Sequence, residues 1–234
     1  MLSTLLLLPL LAMCSPTSNP QFCKMVAPTF VQSFGKLSPA FVPPESGKTV
    51  VYKDSHEPSP NYQYYGHVID TLIEFSNMPS SVYRCNLQIY FEKGFSDVYV
   101  YDKPVSFNVW STAEAAPKDP STLTWDNAPK PMGLVAEVKD FPLPIINGEL
   151  RGYPSYANDT LIPISAVDCH KTMTFRISIP DGVAHGGVQF RQTTDGPDGW
   201  KLQYCATRRC STEECQWASD NFGKFEGRRY AEGG

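Results

Sequence analysis

Hydrophobic and polar residues alternate along much of this chain in short runs, a pattern typical of half-buried β-strands. The clearest run is 85–92, whose apolar members are Cys85, Leu87, Ile89 and Phe91. Further strands are predicted at 48–52, 64–75, 98–101, 105–110, 133–138, 161–164, 172–179, 187–192 and 200–204. Because no segment shows a convincing helical period, the pattern predicts an all-β protein.

Turn-forming residues separate these runs and indicate how the strands are arranged. The 21 prolines and 16 glycines make up about a sixth of the 234 residues. Many short strands with turn signals between them are typical of an antiparallel β-sandwich, of the jelly-roll or immunoglobulin-like kind. Residues 193–199 (TTDGPDG) separate two alternating runs and predict a hairpin between them.

The chain divides into four predicted segments. Residues 1–14 are a signal peptide, with cleavage before Ser15 and a short apolar run that is well under the roughly 20 residues of a membrane helix. An uncleaved anchor or a buried strand is the alternative for this run. Residues 15–47 are a lead-in rich in Pro and Ser, 48–205 the sandwich domain, and 206–234 a polar tail with cysteines. No later run is long enough for a membrane span.

Secretion makes disulfides the expected state of the cysteines. The chain has seven, and cleavage of Cys14 leaves an even set: Cys23, Cys85, Cys169, Cys205, Cys210 and Cys215. Six cysteines allow 15 pairings, so the residues alone leave the connectivity open. In a eukaryotic cell, Asn158 of the Asn158-Asp159-Thr160 sequon would carry a glycan.

Charge and metal-ligand patterns restrict the partners. A net charge of −4, spread along the chain, does not suggest nucleic acid. The four histidines form no metal-binding array, and consecutive strand residues such as Asp168-Cys169-His170 point to opposite faces. A Ca²⁺ site at 195–198 competes with the simpler interpretation of an Asp-Gly turn. We therefore predict no metal and no cofactor.

No catalytic residue can be assigned from the sequence. The chain lacks a Gly-x-Ser-x-Gly nucleophile motif. A glycosidase would need two facing carboxylates. The candidates are Asp70, Glu74, Glu92, Glu114 and Asp126. Carboxylates are more often solvated surface groups, which favours a non-enzymatic protein.

An aromatic segment at 121–131 (STLTWDNAPKP) is the best candidate for ligand binding. The residues proposed to contact a ligand are Trp110, Trp125 and Asp126. Leu123 and Trp125 share one face of an extended segment, and the prolines behind them stop further pairing. Burial of Trp125 as a core plug is favoured over a sugar-binding platform, because a lone Trp is highly buried on average.

Three stretches together resemble a known family. They are CNLQIYFE at 85–92, TWDNAP at 124–129 and AVDCHKTMTFRISIP at 166–180. In this order they resemble fungal secreted proteins of the But-two C-terminal-domain-like family, over about residues 50–205. The resemblance implies a fungal origin, a β-sandwich core, an unknown biochemical role and a Cys85–Cys169 pairing. The tail with Cys205, Cys210 and Cys215 departs from the family's usual ending.

A second, shorter resemblance involves about 25 residues. The TWDNAP segment and the preceding VSFNVW strand (105–110) are similar to the carbohydrate-associated β-sandwich modules called DNRLRE domains. This resemblance implies the same fold class and a wall polysaccharide as ligand.

The functional expectation is a secreted, extracellular or wall-located β-sandwich that binds a wall polysaccharide or a host protein without catalysis. Two alternatives stay open. One is a secreted carbohydrate-active enzyme with a carboxylate pair, and the other is an effector delivered to a host.

Overall fold

A computed structural model describes residues 22–36, 47–54, 68–80, 82–102, 105–144, 154–193 and 196–206. The strands in these residues are β1 (Phe22–Val26), β2 (Phe30–Gly35), β3 (Lys48–Asp54), β4 (Val68–Phe75), β5 (Val82–Phe91), β6 (Val98–Asp102), β7 (Phe107–Thr112), β8 (Pro131–Val138), β9 (Thr160–Val167), β10 (Met173–Ser178), β11 (His185–Arg191) and β12 (Gly199–Ala206). All pairings among them are antiparallel. Within these ranges the one helical element is a 3₁₀ turn, Pro120–Thr122. The all-β prediction is confirmed.

Two sheets pack face to face. The short sheet has the order β1-β12-β5-β9, and the long sheet has the order β6-β11-β3-β4-β10-β7-β8, with β2 also paired to β4. Their inner faces share one hydrophobic core that contains Trp200 and a group of phenylalanines. The fully buried Trp200 spans the two sheets, because its indole Nε1 donates a hydrogen bond to Thr49 Oγ1 on β3 at 3.1 Å. The predicted β-sandwich is therefore confirmed.

The alternation at 85–92 predicts the inner face of β5 correctly. All four apolar members of that run are at most 1% exposed. The intervening residues Asn86 and Tyr90 are half-buried on the other face. Gln88, between them, is buried and donates to Met25 Sδ of β1, so the outer face of β5 is covered at this point, although the inner face keeps the period of two.

Two strands lie in the segment that the sequence predicts as a lead-in. β1 pairs with β12, and β2 pairs with β4 along its whole length. Phe34 of β2 is completely buried. Both strands are short and their partners are distant in sequence, so no local turn signal marks them.

The predicted hairpin at 193–199 is wrong. β11 pairs with β3 and β6 of the long sheet, whereas β12 pairs with β1 and β5 of the short sheet. The connection therefore crosses from one sheet to the other. The buried Gln192 side chain replaces ladder hydrogen bonds at this corner: Oε1 accepts from Trp200 N at 2.7 Å, and Nε2 donates to Asp198 O at 3.1 Å.

Two disulfides staple the sandwich. Cys23 of β1 is bonded to Cys205 of β12, its direct partner in the ladder. Cys85 of β5 is bonded to Cys169, which follows β9. The second bond is the pairing that the family resemblance implies, and it is confirmed. Cys14, Cys210 and Cys215 lie outside the described residues.

A search of the described residues for membrane-spanning segments found no helix with the length and apolar character needed to cross a bilayer.

Reduction of the two disulfides is expected to lower the melting temperature. The bonds link residues 182 and 84 positions apart, and each native bridge typically contributes about 2–4 kcal/mol by restricting the unfolded chain. Thermal unfolding followed by circular dichroism, with and without reductant, measures the shift. The Cys23→Ala/Cys205→Ala variant isolates the first bond. An unchanged melting temperature after complete reduction, verified by thiol titration, would contradict the expectation.

Candidate functional site

The segment around Trp125 covers part of the outer face of the long sheet. Leu123 and Ala128 are buried in a second, smaller core with Phe34 of β2 and Leu72 of β4. The segment is also tied to β4 by Glu74, whose Oε2 accepts a hydrogen bond from Ala116 N at 2.6 Å. Consequently β4 and β10 are buried on both faces, unlike the half-buried strands at the sheet edges.

A hydrogen-bonded turn holds Trp125 in place. Asn127 Oδ1 accepts from Thr124 N at 2.7 Å, while its Nδ2 donates to Thr122 O at 2.7 Å. Ala128 N donates to Thr124 O and closes the turn at 2.9 Å. An Asn side chain that bonds nearby backbone groups on both sides is a common way to fix a turn.

Trp125 packs against a buried arginine. The guanidinium of Arg176 on β10 lies 4.7 Å from the Trp125 ring centroid and 5.0 Å from that of Phe34. The two rings are 5.8 Å apart. Trp125 itself is only half-buried. This packing gives Trp125 a structural role in cation–π contact with Arg176.

Asp70 of β4 is the counter-ion of Arg176. Both Nε and Nη2 of Arg176 bind Asp70 Oδ2, each at 2.7 Å. Among the residues that the structure describes, none offers a hydrogen bond to Asp70 Oδ1. Burial raises the pKa of Asp70 to about 6, and the charge of Arg176 opposes this rise only in part. Oδ1 without a donor is consistent with the raised pKa of Asp70. An ionised carboxylate would leave a buried, unsatisfied oxygen at this position, which favours the protonated form.

The other two proposed ligand contacts also lie near this segment. Trp110 of β7 is the ladder partner of Arg176 and is half-buried, with its Nε1 donating to Ser178 Oγ at 3.0 Å. Asp126 is exposed in the turn. Trp110 and Trp125 are therefore both neighbours of Arg176, and ligand binding by the three residues stays a prediction.

The candidate carboxylates are dispersed over several environments. Asp70 is held by Arg176, and Glu74 by Ala116 N and Thr174 Oγ1. Glu92 and Asp126 are exposed. Glu114 lines an open cleft of about 700 Å³ between the edge strands β8 and β9. Asp168 and His170 also line that cleft.

The metal interpretations gain no support from the geometry. Within the described ranges, no three His, Cys, Asp or Glu side chains are placed to share an ion. Cys169 is bonded to Cys85. The Asp198 carboxylate accepts a hydrogen bond from Glu92 N at 2.7 Å, while Asp195 lies outside the described residues.

Sequence reasoning missed a cluster of three tyrosines, here called the tyrosine cluster: the half-buried Tyr52 and the exposed Tyr99 and Tyr101. They lie on the outer face of β3 and β6, at the edge of the long sheet farthest from β8. Tyr99 is 60% exposed and Tyr101 is 37% exposed. The Trp125 segment packs over β4 and β10, so the two features occupy different parts of the outer face.

The rings of the cluster touch each other. Tyr101 is central, with its ring centroid 4.6 Å from that of Tyr52 and 4.9 Å from that of Tyr99. Its hydroxyl bonds to Gln189 Oε1 on β11 at 3.0 Å, and the Tyr52 hydroxyl bonds to Asp54 Oδ2 at 3.3 Å. The cluster therefore combines ring faces with hydrogen-bonding groups, as small-molecule and interface sites do.

Gly187 brings β3 and β11 close together beside the cluster. It lies on β11, between Tyr52 on β3 and the bulge of the β6 ladder next to Tyr101. A Cβ atom there would lie 2.8 Å from Tyr52 Cα and closer still to Val51 O, so the β3–β11 ladder admits only glycine at this position.

A sequence signal for the cluster was present in β6. Its residues 98–101 read VYVY, with Val98 and Val100 directed to the core. Alternation then places Tyr99 and Tyr101 on the face that normally carries polar residues. Two aromatic residues on a solvent face are unusual enough to mark a site. The place of Tyr52 in the cluster cannot be predicted from the sequence, because it depends on the strand order β3–β11–β6.

Asn158 of the sequon is exposed in the segment before β9, and its carbonyl accepts a hydrogen bond from Thr160 Oγ1 at 3.0 Å. This position is accessible for a glycan, whose presence stays a prediction.

The chain matches no known protein family, and a search of curated proteins finds no significant match. The two family resemblances drawn from its motifs therefore stay predictions.

Replacement of Asp70 is expected to change how stability depends on pH. With a pKa of about 6 in the folded state and an ordinary value of 3.8 in the unfolded chain, Asp70 takes up a proton on folding between these pH values. Its contribution therefore favours folding at pH 4 and is lost as the pH rises through 6, by about 2–3 kcal/mol. Urea unfolding at pH 4 to 7 measures this contribution. It should appear as a fall in the free energy of unfolding with rising pH in the wild type that Asp70→Asn lacks.

The half-exposed Asp97, which pairs with Arg191 at 3.1 Å, provides the matched control. Asp97→Asn should keep the pH dependence of the free energy of unfolding that the wild type shows. A wild type and an Asp70→Asn variant with parallel stability curves would show that Asp70 does not titrate in this range.

Substitution of Gly187 should damage the tyrosine cluster and the fold together. Gly187→Ala forces β3 and β11 apart, and overpacking of this kind costs about 1–3 kcal/mol. Gly182→Ala is the control, because a Cβ there meets no atom within 4 Å. Chemical denaturation measures both variants, and equal stabilities would contradict the close approach of β3 to Gly187.

Proposed function

We propose that this chain is a secreted fungal protein that binds a wall polysaccharide through the tyrosine cluster, without catalysing a reaction. The observation that carries the proposal is a set of three contacting tyrosine rings on one sheet face, of which Tyr99 and Tyr101 are exposed and Tyr52 is half-buried. Two disulfides in the sandwich suit an oxidising, extracellular location.

Tyrosine is well suited to a sugar ligand. The axial C–H bonds of a pyranose ring pack against an aromatic face, while the phenol hydroxyl exchanges hydrogen bonds with sugar hydroxyls. Asp54 and Gln189 accept hydrogen bonds from the Tyr52 and Tyr101 hydroxyls and so hold the rings in place. Rigid strands β3, β6 and β11 hold these groups, so little conformational entropy is lost on binding.

A protein partner is the second candidate function, and the cleft at the opposite edge favours it. Met132 and Leu134 of β8 line this cleft and are 68% and 53% exposed. Exposed apolar side chains beside an open cleft are common at protein interfaces. A host-directed effector would use this surface rather than the tyrosine cluster.

The enzymatic alternative would have to use the same cleft, because Glu114 and Asp168 are the carboxylates that line it. A glycosidase would need its two carboxylates about 5 to 9.5 Å apart across a bound sugar. Hydrolysis of wall polysaccharides by the wild type, abolished in Glu114→Gln, would favour this alternative.

A retention assay tests the proposal directly. Purified protein is incubated with insoluble β-glucan, chitin, mannan and cellulose, and the bound fraction is measured after sedimentation. At least one polysaccharide should retain the wild type, and Tyr99→Ala should lose most of that retention because Tyr99 is the most exposed ring.

Leu161→Ala is the matched control, since Leu161 is 54% exposed on β9 of the short sheet, away from the tyrosine cluster and outside the lining of the cleft. Its retention should equal that of the wild type. If no polysaccharide retains the wild type, or if both variants lose retention equally, the proposal fails.

A further inference from the structure

The three rings of the tyrosine cluster are inclined to one another rather than coplanar. The planes of Tyr52 and Tyr101 meet at 54°, and those of Tyr99 and Tyr101 at 72°. The cluster therefore does not form a flat platform. Tyr99 and Tyr101 meet edge to face, and Tyr52 is tilted against Tyr101, so the direction of the ring planes changes from one tyrosine to the next.

The linkage of a polysaccharide decides which shape its sugar faces take. In β-1,4-linked chains such as cellulose and chitin, successive rings lie in a flat ribbon, and ribbons stack into flat crystalline faces. In β-1,3-linked glucans each ring is inclined to the one before it, and the chain coils. Inclined tyrosine rings match the coiled chain, whereas a flat ribbon could contact only one of them fully.

The hydrogen bonds within the cluster keep these inclinations fixed. Gln189 on β11 holds the Tyr101 hydroxyl, and Asp54 holds the Tyr52 hydroxyl. The close approach of β3 to β11 at Gly187 fixes the backbone position of Tyr52 relative to β11. A bound chain therefore meets a preformed, curved surface, and binding costs little free energy for rearranging the tyrosine side chains.

The charges beside the cluster indicate a neutral ligand. Arg191, on the same face of β11 as Gln189, is paired with Asp97 at 3.1 Å. The Asp54 carboxylate already accepts the Tyr52 hydroxyl. Because Asp54, Asp97 and Arg191 have partners within the protein, an uncharged glucan suits this part of the surface better than an acidic polysaccharide.

We propose that the tyrosine cluster binds a single coiled chain of β-1,3-linked glucan and discriminates against flat β-1,4-linked ribbons. This inference rests on the proposed function and specifies its ligand class. Tyr101 contacts both neighbouring rings and is the central residue of the site, with Tyr52 and Tyr99 stacking on sugars to either side.

Isothermal titration calorimetry with soluble linear hexasaccharides tests the inference. The probes are β-1,3-glucan, β-1,4-glucan and β-1,4-linked N-acetylglucosamine oligosaccharides. The β-1,3-glucan should bind at least about tenfold more tightly than either β-1,4-linked probe, and Tyr101→Ala should weaken it by about tenfold or more. Leu161→Ala, which changes an exposed residue outside both the cluster and the cleft, should bind like the wild type, and thermal unfolding of each variant verifies that it is folded.

The other outcomes separate the ligand class from the function. Equal or tighter binding of a β-1,4-linked probe would overturn the linkage preference but leave polysaccharide binding intact, as would retention by insoluble chitin or cellulose alone. If the β-1,3-glucan binds but a folded Tyr101→Ala binds it equally well, the cluster is not the site. If no oligosaccharide binds and no insoluble polysaccharide retains the protein, the proposed function fails as well.

Discussion

The buried ion pair between Arg176 and Asp70 constrains much of the long sheet. A charged pair in the middle of a sheet face must be shielded and hydrogen-bonded, because an uncompensated buried charge is strongly destabilising. Phe34 and Trp125 both pack against the guanidinium, with their ring centroids 5.8 Å apart. The covering segment and β2 are thus required by the same interaction, and together they turn two central strands into strands with no solvent face.

The sequence predicted the class of fold well but not its topology. Period-two alternation identified β5 because that strand meets the core on one face and solvent or edge residues on the other. It was less informative for β10, where Thr174 and Arg176 are buried as well as the inward apolar residues. Alternation also cannot tell which strands pair, so the crossing of the chain at Gln192 looked like a hairpin.

The candidate site shows the same division between local and non-local information. The sequence predicts Trp125 as a candidate because the aromatic, proline-rich motif around it is local. In the structure, Trp125 contacts Arg176 and Phe34 and lies in a tight turn. The tyrosine cluster is inconspicuous in sequence, since Tyr52 is about 50 residues from its partners in β6. Only the order of the strands brings the three tyrosines together, beside Gly187, whose neighbours in sequence carry no distinctive signal. Sites on sheet faces are assembled by pairing, which a single sequence does not reveal.

The Cys23–Cys205 bond has a mechanical consequence for any force applied through the ends of the chain. It joins the first described strand to the last, within one ladder of the short sheet. Tension applied through the two ends of the chain would pass across this covalent bond and bypass the 182 positions between the two cysteines. The sandwich and its tyrosine face would then carry none of that load, so a ligand could be held under shear while the fold that holds it stays unstretched.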